Sequence, residues 1–383
     1  MISVKSSKLH YVGIFLISLL PFLQIGNYVG QRYFPALVAC AILSSIFLLN
    51  KLSNPVIKMD FKLLWAVIVY VPLLLFPFIT SQSFYEFVFN FVKILIPLLL
   101  FIFFYMIFGS LSSLQRRCFL NLYIRISIIL GILETYLRIS SADSLVETFQ
   151  RNFYGLKVDS PFFADSNAAG IYYLVSLVLL FGMDAFRKRI VNLNSLMISV
   201  LIILTLSRAA ILAMVVMYIL KWFFARGSAT KIITFVVGSM LVLASIPLLY
   251  NMVADDGSGY TKIMAYTVFF TKITNGSVDL IDILLGVGIN EGSLLYGYDV
   301  GKFSHALVPM VVGQVGILGA FCYFSFFFVL LFYAFKPVLF LFLAMFISGL
   351  SYLHPFYEYI FVAAGILFAF NNAASNKESP IES

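Results

Sequence analysis

The segment LTLSRAAILA, residues 204–213, places an arginine in a part of the chain that is otherwise apolar. Arg208 is the single charged residue between Ile190 and Leu220. An arginine at the centre of a lipid bilayer costs about 2.5–3.5 kcal/mol on insertion scales. The segment therefore belongs either to one long buried helix with a costly charge or to two membrane spans that meet at Arg208.

The basic residues on each side of this segment favour two spans. The cluster RKR at 187–189 precedes the segment, and Lys221 and Arg226 follow it. A single helix would place the two basic groups on opposite sides of the membrane, whereas two helices place both in the cytoplasm, where Lys and Arg accumulate. We therefore predict two short spans that meet at Arg208, with Arg208 at the outer membrane face.

The composition indicates an integral membrane protein. Of the 383 residues, 62% are hydrophobic and only 11% are charged, whereas about a quarter of a soluble domain is charged. The net charge of +8 does not indicate a nucleic-acid partner, because the Lys and Arg residues lie in short connections between apolar runs. A membrane-spanning helix needs about 17–25 apolar residues, and the chain holds about twelve such runs. We predict an all-α polytopic membrane protein, a single integral membrane domain over residues 1–383, with spans near 9–26, 33–50, 61–79, 85–109, 117–138, 167–185, 190–206, 208–224, 231–250, 307–333, 337–353 and 356–371.

The predicted spans leave two long connections on the outer side. With the N-terminus in the cytoplasm, most of the 25 Lys and Arg residues fall in cytoplasmic connections, and both termini are cytoplasmic. The two larger periplasmic loops cover residues 139–166 and 251–306. The pattern predicts a short amphipathic helix on the membrane surface at 144–153 and a second helical segment at 260–274. Ordered loops on one face of a protein commonly build a functional site.

Several polar residues near the outer ends of the spans are candidates for such a site. Arg208 follows Ser207 at a helix N-terminus, where a guanidinium and free N–H groups bind anions; the simpler interpretation is a topological anchor. Lys93 lies deep in a span, and this depth predicts that its side chain faces the bundle interior or a cavity. His305 and His354 lie near the outer ends of spans, where a neutral imidazole serves as a general base, although a lone histidine is more often structural.

Glu134 and Arg138 occupy positions i and i+4 near the outer end of the span at 117–138. Residues with this spacing lie on the same helix face and commonly form an ion pair. Glu134 could also reach Lys93 on the neighbouring span.

Three segments resemble the O-antigen polymerase and ligase superfamily of bacterial envelopes. The segment FFADSNAAGIYYL at 162–174 resembles the Asn–x–x–Gly entry to a span, and LTLSRAAILA resembles the Thr–x–Ser–Arg segment. The segments LLGVGINEGS and SHALVPMVVGQVGILGA, within 284–320, resemble a Gly–x–Gly block, an outer histidine and a following Gly–x–x–Gly. The chain departs from the family at Ala306, where asparagine commonly follows the histidine. The residues that match are Asn167, Gly170, Thr205, Ser207, Arg208, Gly286, Gly288, His305, Gly316 and Gly319.

The resemblance implies a fold similar to the GT-C glycosyltransferases, in the bacterial inner membrane, that acts on oligosaccharides carried by undecaprenyl pyrophosphate. Arg208 and His305 would be catalytic, the first stabilising the departing pyrophosphate and the second deprotonating the acceptor hydroxyl. No metal or other cofactor is expected, since the connection GNYVGQR at 26–32 lacks the acidic pair of metal-dependent relatives. The expected partners are the lipid-linked sugar, the lipid membrane and a chain-length regulator protein. The other substrate-binding candidates are Lys93, Arg138, Arg151, Asn167, Ser207, Glu291 and His354.

Two alternatives to an O-antigen polymerase remain open from the sequence. An O-antigen ligase would transfer the sugar chain to a lipid A–core acceptor, and the two large loops with the imperfect match at His305 favour the polymerase. A flippase or transporter of lipid-linked oligosaccharide would also have many spans. Such transporters tend to have short outer loops of similar length and internal repeats, which this sequence lacks.

Overall fold

The computed structural model describes residues 60–140, 162–163, 166–183, 192–226, 257–297 and 304–375. Within these ranges the chain forms helices joined by turns. The helices are α1 (Phe61–Tyr70), α2 (Phe76–Thr80), α3 (Phe84–Ser110), α4 (Ser113–Ser140), α5 (Ser166–Met183), α6 (Leu193–Leu204), α7 (Arg208–Ala225), α8 (Gly257–Thr274), α9 (Leu280–Leu285), α10 (Ile289–Leu295), α11 (Leu307–Tyr333), α12 (Phe335–Gly349) and α13 (Glu358–Ser375). A 3₁₀ segment, Val71–Leu75, joins α1 to α2.

The described residues contain six segments long and apolar enough to cross a membrane, and the shorter helices Leu193–Leu204, Phe335–Gly349 and Glu358–Phe370 are also apolar. Ten spans are predicted between residues 61 and 371. Nine of them coincide with these segments, and the tenth, 231–250, lies outside the described residues. Many of their large apolar side chains are exposed on the outside of the bundle, as with Phe321 at 72% and Phe332 at 80%. A lipid environment accounts for this exposure, because hydrocarbon rather than water covers such a surface.

Parts of the predicted topology lie outside the described residues. These parts are the spans at 9–26, 33–50 and 231–250, the surface helix at 144–153 and the candidate Arg151. Helix α4 continues to Ser140, so the first long connection begins later than the predicted residue 139. The second connection, predicted at 251–306, contains three helices, α8 to α10, and α8 confirms the helical segment predicted at 260–274.

The chain reverses direction between α6 and α7, as predicted from the basic residues around Arg208. Helix α6 ends at Leu204 and α7 begins at Arg208. The hydroxyls of Ser199 on α6 and Tyr218 on α7 lie 2.8 Å apart. In a continuous helix two residues 19 positions apart would be separated by about 28 Å at 1.5 Å per residue. The two helices are therefore an antiparallel hairpin, and the break at Arg208 is confirmed.

The centre of the bundle is an aromatic cluster from four segments. Tyr70 of α1 contacts Phe326 of α11 and Phe361 of α13, with ring centroids 5.2 and 5.8 Å apart. Phe101 of α3 packs against Phe326 at 5.0 Å. Helices α3 and α13 run parallel, because residues 101–105 lie beside Gly365 and Phe368 while Lys93 lies near His354. Edge-to-face aromatic pairs stabilise the packing beyond the area that they bury.

Helix termini collect at two ends of the bundle. At one end, which we call the site end, Arg138 contacts Leu204, Gly170 contacts Ser207, and Leu353 contacts His305. At the opposite end, Asp60 contacts Tyr105, Gly182 lies beside the carbonyl of Pro337, and Lys62 lies over the ring of Tyr333. Successive spanning segments therefore alternate in direction from Phe61 to Ala225 and again from Leu307 to Ser375. The candidate residues in the described ranges share the site end.

Helix α11 is interrupted near the site end by Gly316, whose φ and ψ are 66° and −178°. The loop between α9 and α10 fits against this interruption. The amides of Val287 and Gly288 donate hydrogen bonds to the carbonyls of Gly313 and Gln314, at 3.0 and 3.2 Å. A Cβ on Gly286 would lie 2.5 Å from the backbone nitrogen of Gly316. The glycines are required for this backbone-to-backbone contact, which holds the second long connection on the bundle.

Candidate functional site

The turn between α6 and α7 has an unusual backbone conformation. Leu206 has a φ of 58°, in the left-handed region that a leucine rarely adopts. Thr205 donates a hydrogen bond from Oγ1 to the carbonyl of Ile202 at 2.7 Å and accepts one from the amide of Ser207 at 3.3 Å. These local bonds satisfy backbone groups at the end of α6, but they leave Leu206 strained.

Ser207 occupies the N-cap position of α7, where a serine hydroxyl normally accepts a hydrogen bond from the first turn of the helix. The Ser207 side chain makes no such bond. Its Oγ is buried and has no hydrogen-bond partner within the described residues. A buried hydroxyl without a partner at a helix N-terminus is a donor and acceptor that a bound ligand can use.

Gly170 of α5 packs directly against this turn. A Cβ at Gly170 would lie 2.9 Å from the Cβ of Ser207, 3.0 Å from the Cβ of Ala210 and 3.0 Å from Oγ1 of Thr205. Only glycine allows so close an approach. Two of the three segments that carry the family resemblance are therefore in contact, and Asn167, one turn before Gly170 on the same helix, lies near them with its side chain half-buried.

Arg138 of α4 holds the turn from the other side. Its Nη2 donates a hydrogen bond to the carbonyl of Leu204 at 2.7 Å, and its Nε lies 3.4 Å from a carboxylate oxygen of Glu134. The ion pair is buried, with Arg138 4% exposed and Glu134 fully buried. The structure confirms the predicted pair of Glu134 with Arg138, and the contact of Glu134 with Lys93 stays a prediction. The Arg138 guanidinium therefore contacts the turn and Glu134, and its predicted role in substrate binding stays a prediction.

Arg208 is the first residue of α7, and its side chain is exposed at the site end. It follows Ser207 directly and lies at the terminus where the backbone N–H groups of α7 point outward. A guanidinium and a helix N-terminus together form an arrangement that can bind phosphate oxygens, because both present N–H donors and carry positive charge or dipole. The hydroxyl of Ser207 beside them is buried.

His305 precedes α11 at the same end of the bundle. Its ring stacks on Tyr352, with centroids 5.1 Å apart and planes at 27°. Its carbonyl accepts a hydrogen bond from the amide of Leu353 at 3.0 Å. The side chain is half-buried. The imidazole is thus held by the turn between α12 and α13, with part of its surface open for chemistry.

His354 lies in that same turn and is held as a neutral imidazole. Burial and, secondarily, the positive charge of Lys93 lower the pKa of His354 to about 3. The amide of Phe356 donates a hydrogen bond to Nδ1 of His354 at 3.3 Å. With Nδ1 as acceptor, the proton of the neutral ring lies on Nε2. His354 is therefore placed as a hydrogen-bond donor through Nε2, and it fits the role of base poorly.

Lys93 lies close to His354 at the site end, as the parallel packing of α3 and α13 requires. Its Nζ lies 4.2 Å from the centroid of the Phe89 ring, one turn earlier on α3. The side chain is half-buried. The half-buried position fits both an interior lysine and one that extends toward the bilayer surface, so the cavity-facing role of Lys93 stays a prediction.

A series of aromatic contacts connects the turn at Arg208 with His354. Tyr172, which follows Gly170 on α5, contacts Tyr359 of α13 at 6.0 Å. Tyr359 stacks on Tyr357 at 4.9 Å, and Tyr357 lies 5.5 Å from the ring of His354. The two groups of candidate residues are therefore parts of one continuous packed region at the site end.

Glu291 lies at the start of α10, on the loop that fits against the interruption in α11, and its side chain is exposed. The same loop reaches α3, because Gly288 lies beside the side chains of Asn90 and Glu86. Among the contacts given by the structure, none joins Glu291 to Arg208 or His305. Glu291 therefore belongs to the rim of the region formed by the second long connection.

Sequence reasoning missed three features of the site. The left-handed conformation of Leu206 has no sequence signal, since neither glycine nor asparagine marks the position. The sequence has 22 tyrosines, and no pattern in it distinguishes Tyr172, Tyr357 and Tyr359 as residues that contact one another at the site. The hydrogen bond from Arg138 to the Leu204 carbonyl joins residues that are 66 positions apart, and the local i, i+4 spacing gave only its pairing with Glu134.

Comparison with protein-family models gives no match to this chain, and comparison with curated proteins gives none either.

Proposed function

We propose that this protein is an O-antigen polymerase, a glycosyltransferase that joins oligosaccharide repeat units carried on undecaprenyl pyrophosphate. One observation carries the proposal. The segment of Asn167 and Gly170 packs against the turn of Ser207 and Arg208, at the same end of the bundle as His305. These residues come from three separate segments of the family resemblance, and their convergence supports a common site.

In the proposed reaction, Arg208 binds the pyrophosphate of the donor with help from Ser207 and the N-terminus of α7. The acceptor hydroxyl oxygen attacks the anomeric carbon of the donor sugar, and the bond from that carbon to the pyrophosphate oxygen breaks. His305 accepts the proton of the acceptor hydroxyl. Arg208 stabilises the negative charge that develops on the departing pyrophosphate, which is the type of contribution an oxyanion-binding group makes.

The remaining candidates are assigned to substrate binding in the same proposal. Lys93 supplies a second positive charge for the pyrophosphate, and His354 supplies a neutral donor beside it. Asn167 and Glu291 offer hydrogen-bonding groups to sugar hydroxyls.

The site end faces the periplasm of the inner membrane, since Arg116 and Arg226 lie near the opposite end and basic residues favour the cytoplasm. Reporter fusions after Ala225 and Tyr250 are expected to report cytoplasm and periplasm respectively.

The decisive assay uses the purified protein in lipid vesicles with lipid-linked repeat units, and the products are sized on a gel. A ladder of regularly spaced products is the expected result, both with and without a chain-length regulator protein, which is expected to narrow the ladder. His305→Ala is expected to lower turnover while donor binding stays nearly normal.

Other outcomes of this assay favour the alternatives. Transfer of one unit to an added lipid A–core acceptor, without a ladder, would identify a ligase. Movement of the lipid-linked sugar across the vesicle membrane, without any new glycosidic bond, would identify a flippase.

A further inference from the structure

The position of Arg208 depends on a strained turn that needs support from elsewhere in the protein. Leu206, two residues before Arg208, has a φ of 58°, and L side chains occupy this region rarely because Cβ crowds the backbone. Such conformations persist when the surroundings over-determine them, and they cluster at functional sites. The question is which contacts keep this turn in place.

The buried pair of Glu134 and Arg138 provides the long-range contact to the turn. Arg138 donates from Nη2 to the carbonyl of Leu204 at 2.7 Å, and the carboxylate of Glu134 lies 3.4 Å from Nε of the same guanidinium. A guanidinium is planar and rigid, so a partner that fixes one edge of it also fixes the direction of the other. Glu134 thus orients Arg138, and Arg138 fixes the end of α6.

Stability alone is a weak reason for this arrangement. Removing two charges from solvent is costly, and a buried ion pair is often no more stabilising than apolar residues of similar volume. Arg138 is 4% exposed and Glu134 is fully buried, so the cost applies to both. The Glu134–Arg138 pair connects α4 to the strained turn between α6 and α7. Because such a pair adds little stability, the conformation that it imposes on the turn explains it better.

We propose that Arg138, oriented by Glu134, is a positioning residue that holds the turn and thereby sets the direction of Arg208. Its catalytic consequence rests on the proposed function of the site, whereas its geometric consequence does not. Arg138 acts through the Leu204 carbonyl and the backbone of residues 205–207. Loss of Arg138 leaves Leu206 free to relax and lets Arg208 move away from the donor pyrophosphate.

The geometric consequence is tested by spin labelling, without substrate. The experiment uses a protein in which the native cysteines Cys40, Cys118 and Cys322 are replaced by alanine. Nitroxide labels are then attached at the site end to two introduced cysteines, Arg208→Cys and Tyr85→Cys. The side chain of Tyr85 is 81% exposed. Pulsed electron paramagnetic resonance then measures the distance distribution between the labels. Arg138→Gln is expected to broaden it. The matched control is Arg125→Gln, which removes the same charge from an exposed position on the same helix and is expected to leave it narrow.

A second variant covers the case in which Arg138→Gln fails to fold because the buried charge of Glu134 loses the compensating charge of Arg138. Glu134→Gln combined with Arg138→Met removes both charges and the donor to Leu204 together. This double variant is expected to insert normally and to show the same broadening. A narrow distribution in a folded double variant would overturn the proposal.

The catalytic consequence is tested with Arg208 in place. A displacement of about 1 Å at a reacting group can lower the rate about 100-fold, so Arg138→Gln is expected to reduce kcat to that extent with little change in KM. Arg138→Lys keeps a cation and a donor, and it is expected to recover part of the loss. In an Arg208→Lys background the effect of Arg138→Gln should shrink to about threefold or less, since residues that act through one another are not additive.

The two proposals fail in different ways. A protein that forms no polymer but shows the broadening would remove the proposed function and leave the positioning role in place. A protein that forms polymer while Arg138→Gln keeps both full turnover and a narrow distribution would remove the positioning role and leave the function in place.

Discussion

Gly170 and Ser207 approach each other so closely that a methyl group on Gly170 would lie 2.9 Å from the Cβ of Ser207. The contact joins α5, which has Asn167 in its first turn, to the turn between α6 and α7. Because both residues are buried and the turn is strained at Leu206, neither side of the contact has room to move. The position of the turn therefore depends on the absence of a side chain at residue 170.

Gly170→Ala is expected to displace the turn and to lower activity. The added methyl group would contact Ser207, Ala210 and Thr205 at distances of 2.9–3.0 Å, and overpacking of this kind typically costs about 1–3 kcal/mol of stability. The matched control is Gly109→Ala, because a Cβ at Gly109 meets no atom within 4 Å. Thermal unfolding in detergent should show a lower Tm for the first variant and an unchanged or higher Tm for the second. Equal values would show that the turn adapts to the methyl group.

Gly316→Ala is expected to disturb the contact between the α9–α10 loop and α11. Gly316 has a positive φ, and its Cα faces the backbone of Leu284 and Leu285, so an added Cβ meets both conformational strain and a backbone clash. Gly276→Ala is the matched control, because Gly276 has a φ of 63° but no atom within 4 Å of its Cβ position.

Gly276→Ala measures the effect of a Cβ at a positive φ where no neighbouring atom lies within 4 Å. A Cβ at a positive φ costs about 1–2 kcal/mol in the left-handed helical region, and Gly316, with ψ at −178°, lies in a region that only glycine normally adopts. Limited proteolysis of the second connection should be faster in Gly316→Ala than in Gly276→Ala. Equal proteolysis rates would mean that the loop does not depend on its contact with Gly316.

The sequence was sufficient to predict the elements but not their assembly. Apolar length and basic flanks predicted the helices and the reversal at Arg208, because membrane insertion is governed by local composition. The contact between Gly170 and Ser207 and the bond from Arg138 to Leu204 join distant segments, and such contacts depend on shape rather than on local pattern. The conformation of Leu206 opposes its own local preference, so only the surrounding packing explains it.

The pH dependence of stability is expected to report on His354. The pKa of His354 is lowered from its ordinary value of 6.5 to about 3 by burial and by Lys93, so the unfolded chain binds a proton that the folded protein excludes. The stabilisation is complete above pH 6.5 and is lost as the pH falls from 6.5 toward 3. His354→Gln removes this contribution, so its Tm should fall less steeply between pH 7 and pH 4 than that of the parent.

His305→Gln is the comparison for this experiment, because it replaces the other histidine of the site end. All remaining titratable groups are shared, so the difference between the curves belongs to His354. Parallel curves for the parent and His354→Gln would show that His354 titrates in the folded protein as it does in the unfolded chain. The same result would remove the assignment of His354 as a neutral donor.

Substitutions of Arg208 distinguish binding of pyrophosphate from anchoring of α7. An anchor needs only a charge at the interface, so Arg208→Lys should then be fully active. A pyrophosphate-binding guanidinium offers two parallel donors that lysine lacks, so under the proposed function Arg208→Lys is badly impaired and Arg208→Ala is nearly inactive. Loss of one such charge-stabilising donor typically lowers the rate about 100–1000-fold.

The matched controls for Arg208 are Arg226→Lys and Arg226→Ala, which change the arginine that follows the other end of α7. Both controls are expected to retain activity, since Arg226 lies over Trp222 at the opposite end of the bundle. The measurement is the amount and length of polymer in cells that lack the native protein, normalised to the protein inserted in the membrane. Because insertion is measured separately, a fully active Arg208→Lys would favour the anchor, and a fully active Arg208→Ala would remove the pyrophosphate role.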